Sequence, residues 1–209
     1  QTIRTAIEKS MNIIAVKCLT EITPQLGYDY LLNFGFTTLV ENRTYADGST
    51  KSDIGQPLAL GGLTDGVKNI ELTAAYATIA NGGVYEKPVF YTKIVDHDGN
   101  VLMDNTKTKT HTVLKESTAF LLTSAMQDVV KNGTGKIVNF DTMSIAGKTG
   151  TTSQTYDVWF AGFTPYYTCS VWGGYDVNTS MYDASYHKGL WKAVMQRVHE
   201  NLEYKEFEM

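Results

Sequence analysis

The chain has 209 residues, of which 43% are hydrophobic and 19% charged, as is ordinary for a globular protein of one large or two small domains. Its formal net charge of −4 gives no electrostatic basis for a nucleic-acid partner. Its apolar runs are far shorter than the ~20 residues of a membrane-spanning helix. Cys18 and Cys169 lie among apolar neighbours without C-x-x-C spacing. We therefore expect two buried free thiols, and the redox compartment stays open.

Helices are predicted for the first part of the chain. Apolar residues recur at three- and four-residue steps from Ile3 to Ile22, which predicts one continuous helix. Thr23-Pro24, a capping residue followed by a first-turn proline, starts another helix that runs to about Asn33. The polar stretch 41–57 has no periodicity and predicts a long surface loop.

The rest of the chain adds strands. Asn69 is placed to cap a helix that ends at Asn81-Gly82-Gly83. A hairpin with its turn at 97–99 follows, and then a helix over about 115–130. The last predicted elements are strands at 143–151, 156–164 and 168–176, and an amphipathic helix marked by Leu190, Val194, Met195 and Val198.

This order of elements predicts the fold class. Helices come first, then strands, then one last helix, which indicates an α+β domain with a mainly antiparallel β-sheet flanked by helices rather than βαβ winding. The large aromatic residues of the strand patterns are expected to pack in the core: Trp159, Phe160, Phe163 and Trp172.

The segment 146–152 reads AGKTGTT, and its lysine suits more than one kind of chemistry. Gly147-Lys148-Thr149 matches the end of the phosphate-binding pattern G-x-x-x-x-G-K-[ST]. However, Thr142 stands where the first glycine belongs, and the residues after the lysine alternate as a strand instead of opening a helix. A phosphate-binding loop is therefore disfavoured.

The K-T-G box of serine acyl-enzymes fits a strand better. In that setting Lys148 offers a fixed positive charge to a substrate carboxylate, and the hydroxyls of Thr149 and Thr151 offer hydrogen-bond donors. Gly150 lets a substrate backbone lie against the strand, because a side chain there would block it. A bare K-T-G also suits an exposed lysine on a strand between turns, and the tripeptide alone does not decide between the two.

A second box favours the acyl-enzyme interpretation. Ser10-Met11-Asn12 forms an S-x-N box far upstream of the K-T-G, with an α+β pattern between the two boxes. Three longer stretches extend the match: IRTAIEKSMNIIAVKCL at 3–19, ALGGLTDGVKNIELTAAYATIANGGVYEKP at 59–88, and AGKTGTTSQTYDVWFAGFTPYYTCSVWGGYD at 146–176. With these stretches the chain resembles the C-terminal two-thirds of the transpeptidase domain of class A, bifunctional penicillin-binding proteins.

The resemblance implies a β-lactamase/transpeptidase-like fold, with residues 1–209 forming the C-terminal part of a single domain. It also implies a helix break near Ser10, against the continuous helix that periodicity predicts. The catalytic roles fall on Ser10, which passes a proton to the leaving amine, on Lys148, which holds the Ser10 hydroxyl, and on Thr151, whose backbone N–H belongs to the oxyanion hole. The substrate-binding residues are Asn12, Thr149, Gly150, Thr151 and Thr152.

The family's nucleophile, in an S-x-x-K box, is expected upstream of S-x-N, and only nine residues precede Ser10. Ser185-Tyr186-His187-Lys188 spells S-x-x-K but follows the K-T-G, so we interpret it as a chance match. We therefore expect the nucleophile in a segment before this chain, cleaved, left out or carried on another chain, and we expect the 209 residues alone to be inactive.

The resemblance further implies a D,D-transpeptidase of peptidoglycan crosslinking on the extracytoplasmic face of a bacterial membrane. Its partners are stem peptides ending in D-Ala-D-Ala, β-lactam antibiotics and the N-terminal part of the same protein, and no metal, organic cofactor or nucleic acid is needed. A serine β-lactamase is an alternative, although Glu41 lacks the E-x-x-L-N pattern of its water-activating loop. A non-enzymatic β-lactam sensor is another.

Overall fold

The computed structural model describes residues 1–208, which fold into helices on both faces of a small antiparallel sheet. The α-helices within that range are α1 (Ile3–Lys9), α2 (Asn12–Ile22), α3 (Pro24–Asn33), α4 (Asn69–Ala80), α5 (Glu116–Lys131) and α6 (Tyr186–Val198). The strands are β1 (Arg43–Thr44), β2 (Thr50–Lys51), β3 (Val84–Glu86), β4 (Lys93–Val95), β5 (Val101–Asp104), β6 (Thr110–Thr112), β7 (Ala146–Thr151), β8 (Asp157–Phe163) and β9 (Thr168–Gly174). Short 3-10 helices occupy Gln56–Leu60, Lys136–Val138 and Ser153–Thr155.

The central sheet has the order β7-β8-β9, with both pairs antiparallel, which confirms the predicted fold class. β7 is therefore an edge strand. Its register places Lys148 opposite Ala161 and Gly150 opposite Trp159. β7 turns directly into β8 with no α-helix between them, which agrees with the rejection of a phosphate-binding loop.

Two clusters of buried residues hold the sheet between its helical layers. On one face, Phe160 of β8 packs edge-on against Trp191 of α6, with ring centroids 4.9 Å apart. On the other face, Phe163 packs with Ile79 of α4 and Met126 of α5. Because side chains alternate between the faces of a strand, Phe160 and Phe163 belong to different layers.

The structure corrects the prediction of one helix from Ile3 to Ile22. α1 ends at Lys9, the next residue, Ser10, has left-handed backbone (φ 54°, ψ 52°), and α2 begins at Asn12. The amide of Met11 donates to the carbonyl of Ala6 (2.9 Å), five residues earlier, and this bond closes the end of α1 instead of continuing the helix. The break implied by the family resemblance is the one observed.

Other local predictions have mixed outcomes. α3 is confirmed, and the side chain of Thr23 accepts from the amide of Leu26 as a cap. Asn69 is not a cap, because it is the first helical residue after Lys68. The stretch 41–57 contains the β1–β2 hairpin, and the β3–β6 pair was not predicted.

The face of α6 that is buried differs from the face that the sequence predicted. Met195 is buried together with His187 and Trp191, whereas Leu190, Val194 and Val198 remain about half exposed. Cys18 and Cys169 are free thiols, as predicted, but both are half-buried. Among the helices described, none has the length and apolar character to cross a membrane.

Candidate active site

The break between α1 and α2 presents the first predicted residue to a cleft. Left-handed backbone at Ser10 turns the chain sharply, so α1 and α2 meet at an angle instead of continuing as one rod. Ser10 is exposed at this corner, and Asn12 follows it as the first residue of α2. Both residues line the same cleft.

Lys148 reaches this corner from the middle of β7. Its Nζ donates to Ser10 Oγ at 2.7 Å and to the backbone carbonyl of Thr149 at 3.0 Å, with Thr149 Oγ1 at 3.5 Å. Ser10 and Lys148 are 138 positions apart in the sequence, so the tertiary fold alone joins the two boxes. Desolvation of the half-buried ammonium lowers the pKa of Lys148 to about 8.

Every residue predicted for the site lines one cleft of about 1160 Å³ between α1, α2 and the β7 edge. These residues are Ser10, Asn12, Lys148, Thr149, Gly150, Thr151 and Thr152. The structure therefore brings together all the positions that the two boxes supplied. Their roles in catalysis and binding remain predictions.

Packing also favours a glycine at position 150, in addition to the predicted need to admit a substrate backbone. A Cβ atom at this position would lie 3.2 Å from Cβ of Trp159 on β8, which is tighter than ordinary contact. Trp159 thus lies directly beside the K-T-G strand, on the face that also carries Lys148.

The core assignment of the four aromatic residues is half right. Phe160 and Phe163 are fully buried, as predicted. Trp159 and Trp172 instead line the cleft, with ring centroids 6.2 Å apart, and Trp172 is 40% exposed. Alternation along β8 places Trp159 on the same face as Phe163, but only Trp159 lines the cleft. Only the positions of the surrounding helices reveal that difference.

The chain also contains site-adjacent residues that the motifs did not indicate. Trp172 Nε1 donates to Asp157 Oδ1 at 2.9 Å, and the amide of Asp157 donates to Thr152 Oγ1 at 2.8 Å, which fastens the end of the K-T-G strand. Thr134 Oγ1 lies 2.8 Å from Thr149 Oγ1. No short pattern joins Thr134 to the K-T-G box, so only the structure identifies this contact.

Ser185 lies outside the residues that line the cleft. Its Oγ donates to Asp183 Oδ1 at 2.7 Å, at the start of α6, where it closes a local turn. Within residues 1–208 there is also no group of three or more His, Cys, Asp or Glu side chains that could hold a metal ion.

Comparisons with known proteins agree with this geometry. The family model of the penicillin binding protein transpeptidase domain matches residues 1–196. Penicillin-binding protein 1A of Clostridium botulinum is 36% identical over 208 residues, covering 98% of this chain and 24% of that protein. Penicillin-binding protein 4 of Bacillus subtilis is 35% identical over 198 residues, covering 93% of this chain and 30% of that protein. The chain thus spans about a quarter to a third of the length of these relatives.

Solved structures share the fold. The PonA1 protein from Mycobacterium tuberculosis, solved in complex with penicillin V, has a TM-score of 0.80 and 23% identity over 99% of this chain and 58% of that chain. Penicillin-binding protein 1A from Haemophilus influenzae has a TM-score of 0.74 and 20% identity over 99% of this chain and 35% of that chain. Since the family model covers nearly all of the sequence, the chain belongs to the penicillin-binding protein transpeptidase domain family.

Proposed function

We propose that the protein carrying this chain is a serine-type D,D-transpeptidase that crosslinks peptidoglycan and is acylated by β-lactams. The observation that carries the proposal is the 2.7 Å hydrogen bond from Lys148 Nζ to Ser10 Oγ, within a cleft that the K-T-G strand edge also lines. Family membership supports it, as does the penicillin V complex of the PonA1 protein.

The cation and hydroxyl of the K-T-G box suit a substrate that ends in a carboxylate. Lys148 carries a positive charge, and Thr149 adds a hydroxyl beside it on the cleft wall. A charge-assisted hydrogen bond to a carboxylate is roughly twice as strong as one between neutral groups. The terminal carboxylate of a D-Ala-D-Ala stem peptide, or the carboxylate of a penicillin, supplies this group.

The strand edge also suits an oxyanion hole. The amide of Thr152 donates to the carbonyl of Asp157 on β8 at 3.0 Å. Because amides alternate in direction along an antiparallel strand, the amide of Thr151 points away from β8. β7 is the edge strand, so that N–H is free to meet the negative oxygen of a tetrahedral intermediate.

In this reaction a serine outside the 209 residues attacks the carbonyl between the two terminal D-alanines. The lysine of the same S-x-x-K box takes the proton of the attacking serine and returns it through Ser10. The C–N bond breaks as Ser10 passes a proton to the departing D-alanine amine, while Lys148 holds the Ser10 hydroxyl. Asn12 binds the peptide backbone, and Thr152 extends the binding edge beyond Gly150. An amino group of a neighbouring stem peptide then takes the acyl group, which releases the serine and forms the crosslink.

The proposal places residues 1–209 in a single transpeptidase domain, with the nucleophile in a segment preceding residue 1. The apolar side chains along the cleft offer a surface for that segment, among them Ala6, Ile7, Ile14, Ala15, Leu72 and Tyr76. The protein then works at the extracytoplasmic face of the bacterial membrane, where its stem-peptide substrates lie.

Nitrocefin and a fluorescent penicillin test this function in the intact protein. A transpeptidase gives a stoichiometric burst with nitrocefin and a stable covalent label on a serine outside these 209 residues. Ser185→Ala is the matched control and should label as wild type, because Ser185 lies away from the cleft. Sustained nitrocefin hydrolysis would identify a β-lactamase instead, and a label on Ser185 would overturn the assignment of the site.

A further inference from the structure

The turn at residues 132–135, with the sequence NGTG, connects the end of α5 to both halves of the candidate site. On one side it contacts α1, where Lys9 Nζ donates to the carbonyl of Asn132 at 3.3 Å. Gly133 lies so close to α1 that a Cβ atom there would overlap the carbonyl oxygen of Glu8. The 132–135 turn is therefore packed against the last turn of the helix that ends at Ser10.

On its other side the turn contacts the K-T-G strand. Thr134 Oγ1 lies 2.8 Å from Thr149 Oγ1, at hydrogen-bond distance. Thr134 is exposed and is not among the residues that line the cleft, whereas Thr149 lines it. Any influence of Thr134 on a ligand in the cleft therefore passes through Thr149.

The hydroxyl of Thr149 has one proton to donate and two lone pairs to accept hydrogen bonds. Lys148 Nζ points one donor at Thr149 Oγ1 from 3.5 Å. Either hydroxyl can donate across the 2.8 Å between Thr134 Oγ1 and Thr149 Oγ1, and with Thr134 as the donor the other accepting position of Thr149 is filled. In that arrangement both accepting positions are engaged, and the proton of Thr149 points away from Lys148 and Thr134.

We propose that Thr134 is a positioning residue, which donates to Thr149 and so directs the Thr149 O–H into the cleft as a donor to the substrate carboxylate. This inference rests on the proposed transpeptidase function and adds to it a residue outside the S-x-N and K-T-G boxes. Without Thr134, the Thr149 hydroxyl rotates freely and loses part of its advantage as a preset donor.

The test compares Thr134→Val, Thr134→Ser and Thr149→Val in the intact protein, with the rate constant for acylation by a fluorescent penicillin as the readout. Thr134→Val keeps the shape but removes the hydroxyl, and we expect a loss of about fivefold, the contribution of one neutral hydrogen bond. Thr134→Ser restores the hydroxyl and should return the rate to within about twofold of wild type. Thr118→Val, an exposed threonine near the other end of α5, is the matched control and should leave the rate unchanged.

The double variant Thr134→Val/Thr149→Val decides whether Thr134 acts through Thr149. If it does, the double variant acylates as slowly as Thr149→Val alone, because the Thr134 hydroxyl has nothing left to orient. Multiplied losses in the double variant, or a wild-type rate in Thr134→Val, would overturn the inference. Failure of the proposed function looks different, since the wild-type protein would then take no covalent label.

Discussion

One half-buried ammonium group, that of Lys148, joins the two predicted boxes of the site. Lys148 Nζ has three donors, and they meet the hydroxyl of Ser10, the carbonyl of Thr149 and, at longer range, the Thr149 hydroxyl. All three acceptors are neutral oxygens, so no anion offsets the lost hydration, and the pKa of Lys148 falls to about 8. Under the proposed function, a substrate carboxylate entering the cleft would supply the missing negative charge.

The lowered pKa of Lys148 predicts an alkaline limit on acylation. The amine is mostly protonated at pH 7 and loses its proton as the pH rises through about 8. We expect the rate constant for acylation by benzylpenicillin to fall above pH 8, approaching tenfold per pH unit if the charge is required. Stopped-flow acylation of the intact protein between pH 6.5 and about 9.5 measures this limit.

Lys148→Arg provides the control for this assignment. A guanidinium stays protonated throughout the range, so the variant should acylate more slowly but with no decline up to about pH 9.5. If the arginine variant keeps the same alkaline decline as wild type, another group sets it and the charge on Lys148 does not.

The sequence predicted those site residues that belong to short catalytic motifs, and it did not predict the others. K-T-G and S-x-N gave Lys148 and Ser10, which the structure joins. The strand pattern predicts that Trp172 packs in the core, whereas Trp172 lines the cleft, because sequence alternation does not tell a buried face from a cleft wall. The contact of Thr134 with Thr149 depends on how the end of α5 meets β7.

Among the elements, the junction between α1 and α2 matters most for the site, because it positions Ser10 next to Lys148. Left-handed backbone at a serine costs roughly 1 kcal/mol or more, so the surrounding structure must hold it. The 132–135 turn lies against the last turn of α1 and supplies part of that support. Hydrophobic periodicity missed the corner because only two residues, left-handed Ser10 and extended Met11, depart from helical geometry, and the apolar spacing of the sequence runs through them.

Gly133→Ala tests whether the turn positions this corner. The new Cβ atom would overlap the Glu8 carbonyl oxygen and lie 2.9 Å from Cα of Val129, and both of these are backbone atoms. α1 must shift, and Ser10 with it. We expect a loss of about 1–3 kcal/mol in the free energy of unfolding. We also expect slower acylation by fluorescent penicillin, by about tenfold or more.

Gly189→Ala is the matched control for this substitution. Gly189 lies inside α6, and a Cβ atom there meets nothing within 4 Å. We expect this variant to gain about 0.5–1 kcal/mol from its better helix propensity and to acylate as wild type. If Gly133→Ala also acylates at the wild-type rate, the turn does not set the position of Ser10.

For the molecule as a whole, the layer between α6 and the sheet holds two buried histidines, of which one has hydrogen-bond partners and the other has none among the described residues. His199 has both ring nitrogens at hydrogen-bond distance, one from the carbonyl of Met195 (2.6 Å) and one from Thr164 Oγ1 (2.8 Å). His187 is only 1% exposed, and neither of its ring nitrogens has a partner within residues 1–208. Burial lowers the pKa of His187, Lys188 lowers it further, and Asp183 partly opposes the change.

The buried, unpaired His187 predicts that the packing of α6 on the sheet becomes less stable in acid. Because the pKa of His187 is lower in the folded protein than in the unfolded chain, the unfolded chain binds more protons as the pH falls below about 6.5. Stability is therefore fullest above that pH and declines as the pH drops. His187→Leu removes the buried unpaired nitrogens, so we expect a gain on the order of 1 kcal/mol at pH 7.5 and a flatter profile down to about pH 5.

Amide hydrogen exchange of the α6 and β8 peptides in the intact protein measures both effects, because buried elements of the core exchange only on large-scale opening. His97→Gln is the control, since His97 lies in an exposed turn and its loss should leave the profile unchanged. Together the two variants show whether the acid sensitivity comes from His187 or from other titrating groups. If wild type and His187→Leu lose protection equally between pH 7.5 and about 5, the acid sensitivity belongs to other groups, and burial of His187 has no part in holding α6 on the sheet.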